Sequence, residues 1–187
     1  MNEEVDKASY RNRGSWGQGL ITAYKIWRYI NEAGEGNVIK WNTEFHLTEG
    51  ARIYLGNNVT LQNYSYFQLT KPHPSLYIGD NTVVGRHTMV TAKNSIKIGS
   101  NVLIGAYVQI IDHNHGIRKH AVIREQTAEI GEVLIEDDVW VGAGAKVLNN
   151  SKVGRGAVVG ANAVVTGDIP PFAIAVGAPA KVIKYRS

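Results

Sequence analysis

Residues 133–166 read VLIEDDVWVGAGAKVLNNSKVGRGAVVGANAVVT, and a six-residue beat runs through the whole stretch. An aliphatic residue stands at Ile135, Val141, Val147, Val153, Val159 and Val165, with glycine following at Gly142, Gly154 and Gly160. Two residues before each lies Val133, Val139, Ala145, Ser151, Ala157 or Ala163, all small or β-branched. Upstream the beat recurs as Ile98-Gly99, Ile104-Gly105, Ile110, and as Ile78-Gly79, Val84-Gly85, Val90. A weaker copy runs through Leu55-Gly56, Leu61 and Phe67, with Ile53 and Val59 two residues ahead. Six does not fit an α-helix, where residues six apart point to opposed faces. It fits a short strand, a tight turn and another short strand, the aliphatic side chain inward and the glycine at the turn.

Composition agrees with stacked short strands. Glycine is 20 of 187 residues, Val 20 and Ile 18, against only 9 Leu. Branched Cβ atoms suit a pleated surface and crowd a helix, so a helical bundle is excluded. With 44% hydrophobic and 19% charged residues the chain is not of the disordered class. Cysteine is absent, which removes disulfides, thiol catalysis and zinc-thiolate sites. The net charge of +4 is small and dispersed, and it does not point to nucleic acid. No apolar run approaches 18 residues and the first residues are acidic, so the expected location is the cytoplasm.

Breaks in the beat are informative. Val90 to Ile98 is eight residues, which places a two-residue bulge around Ala92 to Ser95. Ile110 to Ile135 is twenty-five, and the polar segment between reads as a loop, 112–132, thrown out from the coils. Before the repeat, Trp16, Leu20, Ala23, Tyr24, Trp27 and Ile30 have helical spacing, between a possible N-cap at Ser15 and a stop at Gly34. An amphipathic helix there would cap the open end of the coils; Arg13, Lys25 and Arg28 beside tryptophans also permit peripheral membrane contact. The division expected is a helical cap over 1–49 and coils over 50–187, with a tail from 168 to 187. Asp168-Ile169-Pro170-Pro171 should stop the coils, since proline lacks a ladder donor, and a short helix from Pro179 to Tyr185 should follow.

The loop opens Ile111-Asp112-His113-Asn114-His115-Gly116 and holds three of the six histidines. Imidazole is the side chain best matched to general-base work near neutral pH. His113 and His115 are therefore the candidate catalytic residues.

Together, Asp112 to Gly116, Asp137-Asp138-Val139-Trp140-Val141-Gly142, Val159 to Thr166 and the ending Ile169 to Ile183 resemble hexapeptide-repeat acyltransferases. The likeness is to the maltose/galactoside acetyltransferase-like group and to bacterial polysaccharide O-acetyltransferases, and it covers roughly residues 50 to 184. It implies an all-β, left-handed parallel β-helix, a triangular prism of hexapeptide coils, working as a homotrimer with active sites between prisms. It implies an acetyl-CoA-dependent acetyltransferase acting on a saccharide. A loop histidine takes the acceptor's proton as oxygen or nitrogen attacks the thioester directly, and no metal is involved. Counted seven residues from the inward Val108, that histidine is His115, with His113 the other candidate. Trp140, Gly142, Ala143, Gly160, Ala161, Thr166, Lys181 and Lys184 carry over as the CoA groove, and Asp112, Asn114 and Lys93 as acceptor contacts. Asp112 or Glu125 is positioned in sequence to accept from a histidine Nδ1–H.

Two departures from the family pattern matter. Gly167 stands where many relatives carry lysine, and Lys93-Asn94 where sugar-specific ones carry an acid. The second implies an acidic or phosphorylated saccharide, such as a nucleotide-linked or polymeric sugar. Two other classes share this architecture. A γ-class carbonic anhydrase would use His115 and His120 on zinc, and a trimeric sugar-binding scaffold would have no catalysis.

Overall fold

The computed structural model describes residues 16–187. Ser15 and Arg13 lie outside the described residues. Helix α1 (Trp16–Tyr29) leads into a parallel β-helix of three faces, whose short strands stack coil upon coil. The coils span 32–47, 52–69, 75–92, 95–111, 132–147 and 151–165. A partial seventh follows, with Ile169 bridged to Val153 and the strand Ala173–Val176 beyond it. Face 1 opens each coil, face 2 follows, and face 3 closes it.

The inward residues are those of the beat. Ile78, Val90, Ile98, Ile110, Ile135, Val147, Val153 and Val159 are all fully buried in one continuous core. Each contributes roughly 1.5–3 kcal/mol by leaving water. The core tapers along the axis, from Phe45 and Phe67 in the early coils to Ala157, Ala163 and Ala175 in the late ones.

Register shows where the chain departs from six. Val141 pairs with Val159, 18 positions on, but Val90 pairs with Ile110, 20 on, and Ile98 with Ile135, 37 on. The excess always falls on the corner between face 3 and face 1. The two-residue bulge at Lys93-Asn94 is one instance and the 112–131 loop another. Within the loop, His113–Asn114 pairs antiparallel with Glu129–Ile130 to make a small hairpin.

Left-handed backbone turns the other two corners. On corner 1/2 the residues are Asn58, Asn81, Asn101 and Asp138, types that tolerate this conformation. Corner 2/3 uses Tyr64, His87 and Tyr107 in three successive coils, at φ 62°, 57° and 60°. A Cβ there crowds the following carbonyl, at a cost of roughly 1–2 kcal/mol for each such residue.

Three expectations are corrected. The coils begin at Glu32, so 32–47 belongs to the prism and not to a cap ending at 49: Glu32–Ala33, Val38–Ile39 and Glu44–Leu47 all pair in parallel with the second coil. Helix α1 does cap the open end, but its Trp16, Leu20, Tyr24 and Trp27 stripe faces outward. The docked face is mixed: Ile26 packs on the core and Tyr29 stacks on Phe45, while polar side chains meet the unpaired main-chain groups of the first coil. Lys25 Nζ donates to the carbonyls of Lys40, Trp41 and Thr43, and Gln18 Nε2 donates to that of Ile39 at 2.6 Å. Burial pulls the Lys25 pKa below that of a free lysine, with Glu44 opposing. Third, 179–185 is no helix: Lys181–Tyr185 is a strand folded antiparallel onto Ala173–Val176. Val182, Ile183 and Tyr185 favour extended backbone, and the strand covers the edge the solenoid would otherwise leave open.

Candidate active site

The loop is fixed at its root by a buried carboxylate. Val108, Ile110 and Asp112 alternate inward along face 3, which carries Asp112 beneath the corner with no exposed surface. Its oxygens accept the main-chain N–H of Lys93 at 2.8 Å and of Asn94 at 2.8 Å, both on the coil below. His113 Nδ1 lies 3.0 Å from Asp112 Oδ1, so this ring nitrogen donates to the carboxylate. The His113 side chain is only 13% exposed. Asp112 is thus spent on anchoring, and its expected contact with substrate is corrected: a carboxylate buried with these three donors has no face left for an acceptor.

His115, two residues on, is exposed. Gly116 beside it is buried against Gln126 and Thr127, where a Cβ would come within 2.8 Å of both. Gln126 closes the loop on itself, accepting from Arg118 N–H and donating to the carbonyls of Arg118 and Ala121. Sequence reasoning missed Gln126; nothing in its spacing distinguishes it from a solvated loop residue. Asn114 is exposed on the same hairpin, and Lys93 sits under its root with Nζ 3.4 Å from Thr70 Oγ1.

The residues assigned to the CoA groove lie elsewhere on the prism. Trp140 projects outward from face 2, half exposed, and Ala143 and Ala161 are exposed on corner 2/3. Gly142 and Gly160 lie beside those alanines but serve coil stacking, since a Cβ on Gly142 would meet Ala161 N at 2.6 Å and one on Gly160 would meet Val176 Cγ1 at 2.7 Å. Lys181 and Lys184 are exposed at the far end of face 2. Thr166 stands apart from these on corner 3/1. The structure therefore brings Trp140, Ala143, Ala161, Lys181 and Lys184 to one side and His113, His115, Asn114, Lys93 and Thr166 to the corner opposite. Glu125 lies on a single 3₁₀ turn within the loop, exposed.

The outer surface of face 2 is apolar. Val83, Leu103, Trp140 and Val158 are in register along it. At its tip the loop exposes Ile117, Val122 and Ile123 among Arg118, Lys119, His120, Arg124 and Glu125. A cleft of about 420 Å³ between α1 and the first coils, and one of about 290 Å³ beside Tyr77 and Arg155, both lie away from the histidines. Among the described residues no three His, Asp or Glu side chains converge in metal-ligating geometry. No helix among the described residues is long and apolar enough to cross a membrane.

Comparison with known proteins places this geometry. The bacterial transferase hexapeptide family (six repeats) matches residues 132–167. A probable acetyltransferase of Mycobacterium tuberculosis is 41% identical over 169 residues, which is 89% of this chain and 54% of that protein. The putative lipopolysaccharide biosynthesis O-acetyl transferase WbbJ of Escherichia coli is 38% identical over 117 residues, 58% of this chain and 60% of WbbJ. The chain thus spans somewhat over half the length of these curated relatives. Among solved structures, the Bacillus cereus N-acyltransferase AntD, in complex with dTDP-4-amino-4,6-dideoxyglucose and coenzyme A, superposes with a TM-score of 0.77 at 18% identity, over 88% of this chain and 89% of that one. That likeness is one of fold, and the fold is the left-handed parallel β-helix that the family resemblance implied. Repeat, coil geometry and relatives agree: residues 132–167 carry the bacterial transferase hexapeptide repeat, and the chain resembles the hexapeptide-repeat acyltransferases.

Proposed function

We propose that this protein is an acyltransferase that moves an acetyl group from acetyl-CoA to a hydroxyl or amine of an acidic or phosphorylated saccharide. The observation that carries the reading is the division of labour between the loop histidines. His113 is held and covered by Asp112, whereas His115 stands exposed on a loop braced by Gly116 and Gln126. A base must be reachable by its substrate, so His115 is the general base and His113 sets the loop. His115 takes the acceptor's proton as the acceptor oxygen or nitrogen attacks the thioester carbon. The new C–O or C–N bond forms, the C–S bond breaks, and the proton ends on the CoA thiol. Outward Trp140 and the small Ala143 and Ala161 suit the pantetheine arm, and Lys181 and Lys184 suit its phosphates.

The same reading requires more than one copy. Histidines and donor residues occupy opposite sides of a single prism, and the exposed Ile117, Val122 and Ile123 of the loop and the apolar column of face 2 are both uncovered. A homotrimer in which each loop packs on the neighbour's face 2 satisfies both. Acetyl-CoA is an intracellular metabolite, which supports action in the cytoplasm. The relatives named for acetyl transfer and the nucleotide sugar bound by AntD support the donor and the acceptor class. A peripheral membrane contact through α1 rests on its outward Trp16, Leu20, Tyr24 and Trp27; co-sedimentation with zwitterionic vesicles, lost on Trp27→Ala, tests it.

Purified protein given acetyl-CoA and a panel of neutral and acidic saccharides tests the main reading. His115→Ala should lower kcat by about 10²-fold or more while acetyl-CoA binding is kept. A fully active His115→Ala would refute the assignment of the base. Wild type that neither binds nor cleaves acetyl-CoA would leave a non-catalytic scaffold.

A further inference from the structure

On corner 2/3 the rings of Tyr64, His87 and Tyr107 form a continuous stack along the prism axis. Tyr64 and His87 have centroids 4.9 Å apart with planes 4° from parallel, and His87 and Tyr107 are 4.7 Å apart at 6°. All three stand on left-handed backbone, a turn that asparagine makes at Asn58, Asn81 and Asn101 on corner 1/2 and at Asn162 on this same corner. Turning the corner does not require aromatic rings, and strained positions of this kind cluster at ligand sites. The stack stops at Gly144, the equivalent residue of the next coil, at φ 73°. Gly144 has no side chain of its own; the Asn162 carboxamide of the following coil fills the place of its Cβ, and farther out Tyr107, 61% exposed, has no ring above it. Lys146 Nζ, 3.3 Å from the Gly144 carbonyl, puts a cation beside this open ring face. Ala143, assigned to the donor groove, borders it, and Tyr107 belongs to the coil from which the histidine loop departs.

We infer that the Tyr64–His87–Tyr107 column is a stacking platform for the acceptor, with an acceptor ring lying on the open outer face of Tyr107, outboard of Gly144 and Asn162. This deepens the acyltransferase reading by naming the surface that selects the acceptor. The ligand chemistry is a ring with a stackable face and an anionic substituent near Lys146. The ring is either the base of a nucleotide-linked sugar or a sugar of the saccharide itself.

Saturation-transfer NMR on the full chain, with UDP-glucose, UDP and glucose 1-phosphate as probes, tests it. Binding of UDP-glucose and UDP identifies the ring as the base, and binding of glucose 1-phosphate without UDP identifies a sugar ring. In either case Tyr107→Asn should weaken binding at least 5-fold while raising Tm, because asparagine suits the left-handed backbone. Tyr107→Phe, which keeps the ring, should bind as wild type does. The proposal is overturned if no probe binds wild type, or if Tyr107→Asn binds equally well. Acetyl-CoA binding measured on the same samples separates the two readings. A wild type that binds UDP-glucose but not acetyl-CoA sinks acyl transfer and leaves the platform standing.

Discussion

Asp112 accepts hydrogen bonds from two main-chain N–H groups of the coil below and from the imidazole beside it, all within the solvent-free corner. Replacing it with asparagine would turn an NH2 toward donors that have no other partner. Asp112→Asn should therefore cost about 1–3 kcal/mol, with Tm falling roughly 2–4 °C per kcal/mol for a chain of this size. Activity should drop further than Tm predicts, because His113 loses its hold and the hairpin carrying His115 loses its root. Differential scanning calorimetry and kcat on the same variant check both parts. The chemistry of this segment was legible in the sequence as a histidine-rich excursion. The burial of Asp112 was legible too, since Val108, Ile110 and Asp112 keep the period-two alternation of a strand. What the spacing did not disclose is that an inward aspartate is an anchor and not an acceptor contact. That depends on Lys93 and Asn94, which only the coil register brings beneath it.

Helix α1 was legible as an element and misread as a surface. Apolar residues at helical spacing are ordinarily the docked face, because the usual target is an apolar core. Here the target is also the exposed edge of the first coil, whose carbonyl groups need donors, so Gln18, Thr22 and Lys25 share the contact with Ile26 and Tyr29. The first coil itself could have been found from Ala33, Ile39 and Phe45, six apart, once a corner at 48–51 is allowed before Leu55. Lys25→Met keeps the length of the side chain and removes its three hydrogen bonds. Hydrogen exchange should accelerate at 38–47 by about tenfold or more, with the coils beyond 75 unchanged. Uniform exchange across all coils would show that α1 is not a local cap.

At the scale of the molecule, the catalytic assignment predicts complementation. His115→Ala and Trp140→Ala are each expected to be inactive, but a trimer mixed from equal amounts should regain about a quarter of wild-type activity. Each site would draw its loop from one copy and its face from the next, and random mixing makes a quarter of those pairings intact. No recovery after co-refolding, alongside a trimeric mass by light scattering, would place the whole site within one chain. The apolar column of Val83, Leu103, Trp140 and Val158 was not readable as a surface, because its members lie 18 to 37 positions apart and align only through strand register. That register has a further consequence. Two edges of the prism have fixed length, and the third alone tolerates added residues: Ile98 meets Ile135 as squarely as Val141 meets Val159, whatever intervenes. A segment on this edge behaves as a cassette, exchangeable without sliding any strand past its neighbour. Grafting 112–131 onto another prism of matching register therefore transfers the loop without sliding any strand, provided the Lys93-Asn94 bulge that holds Asp112 goes with it.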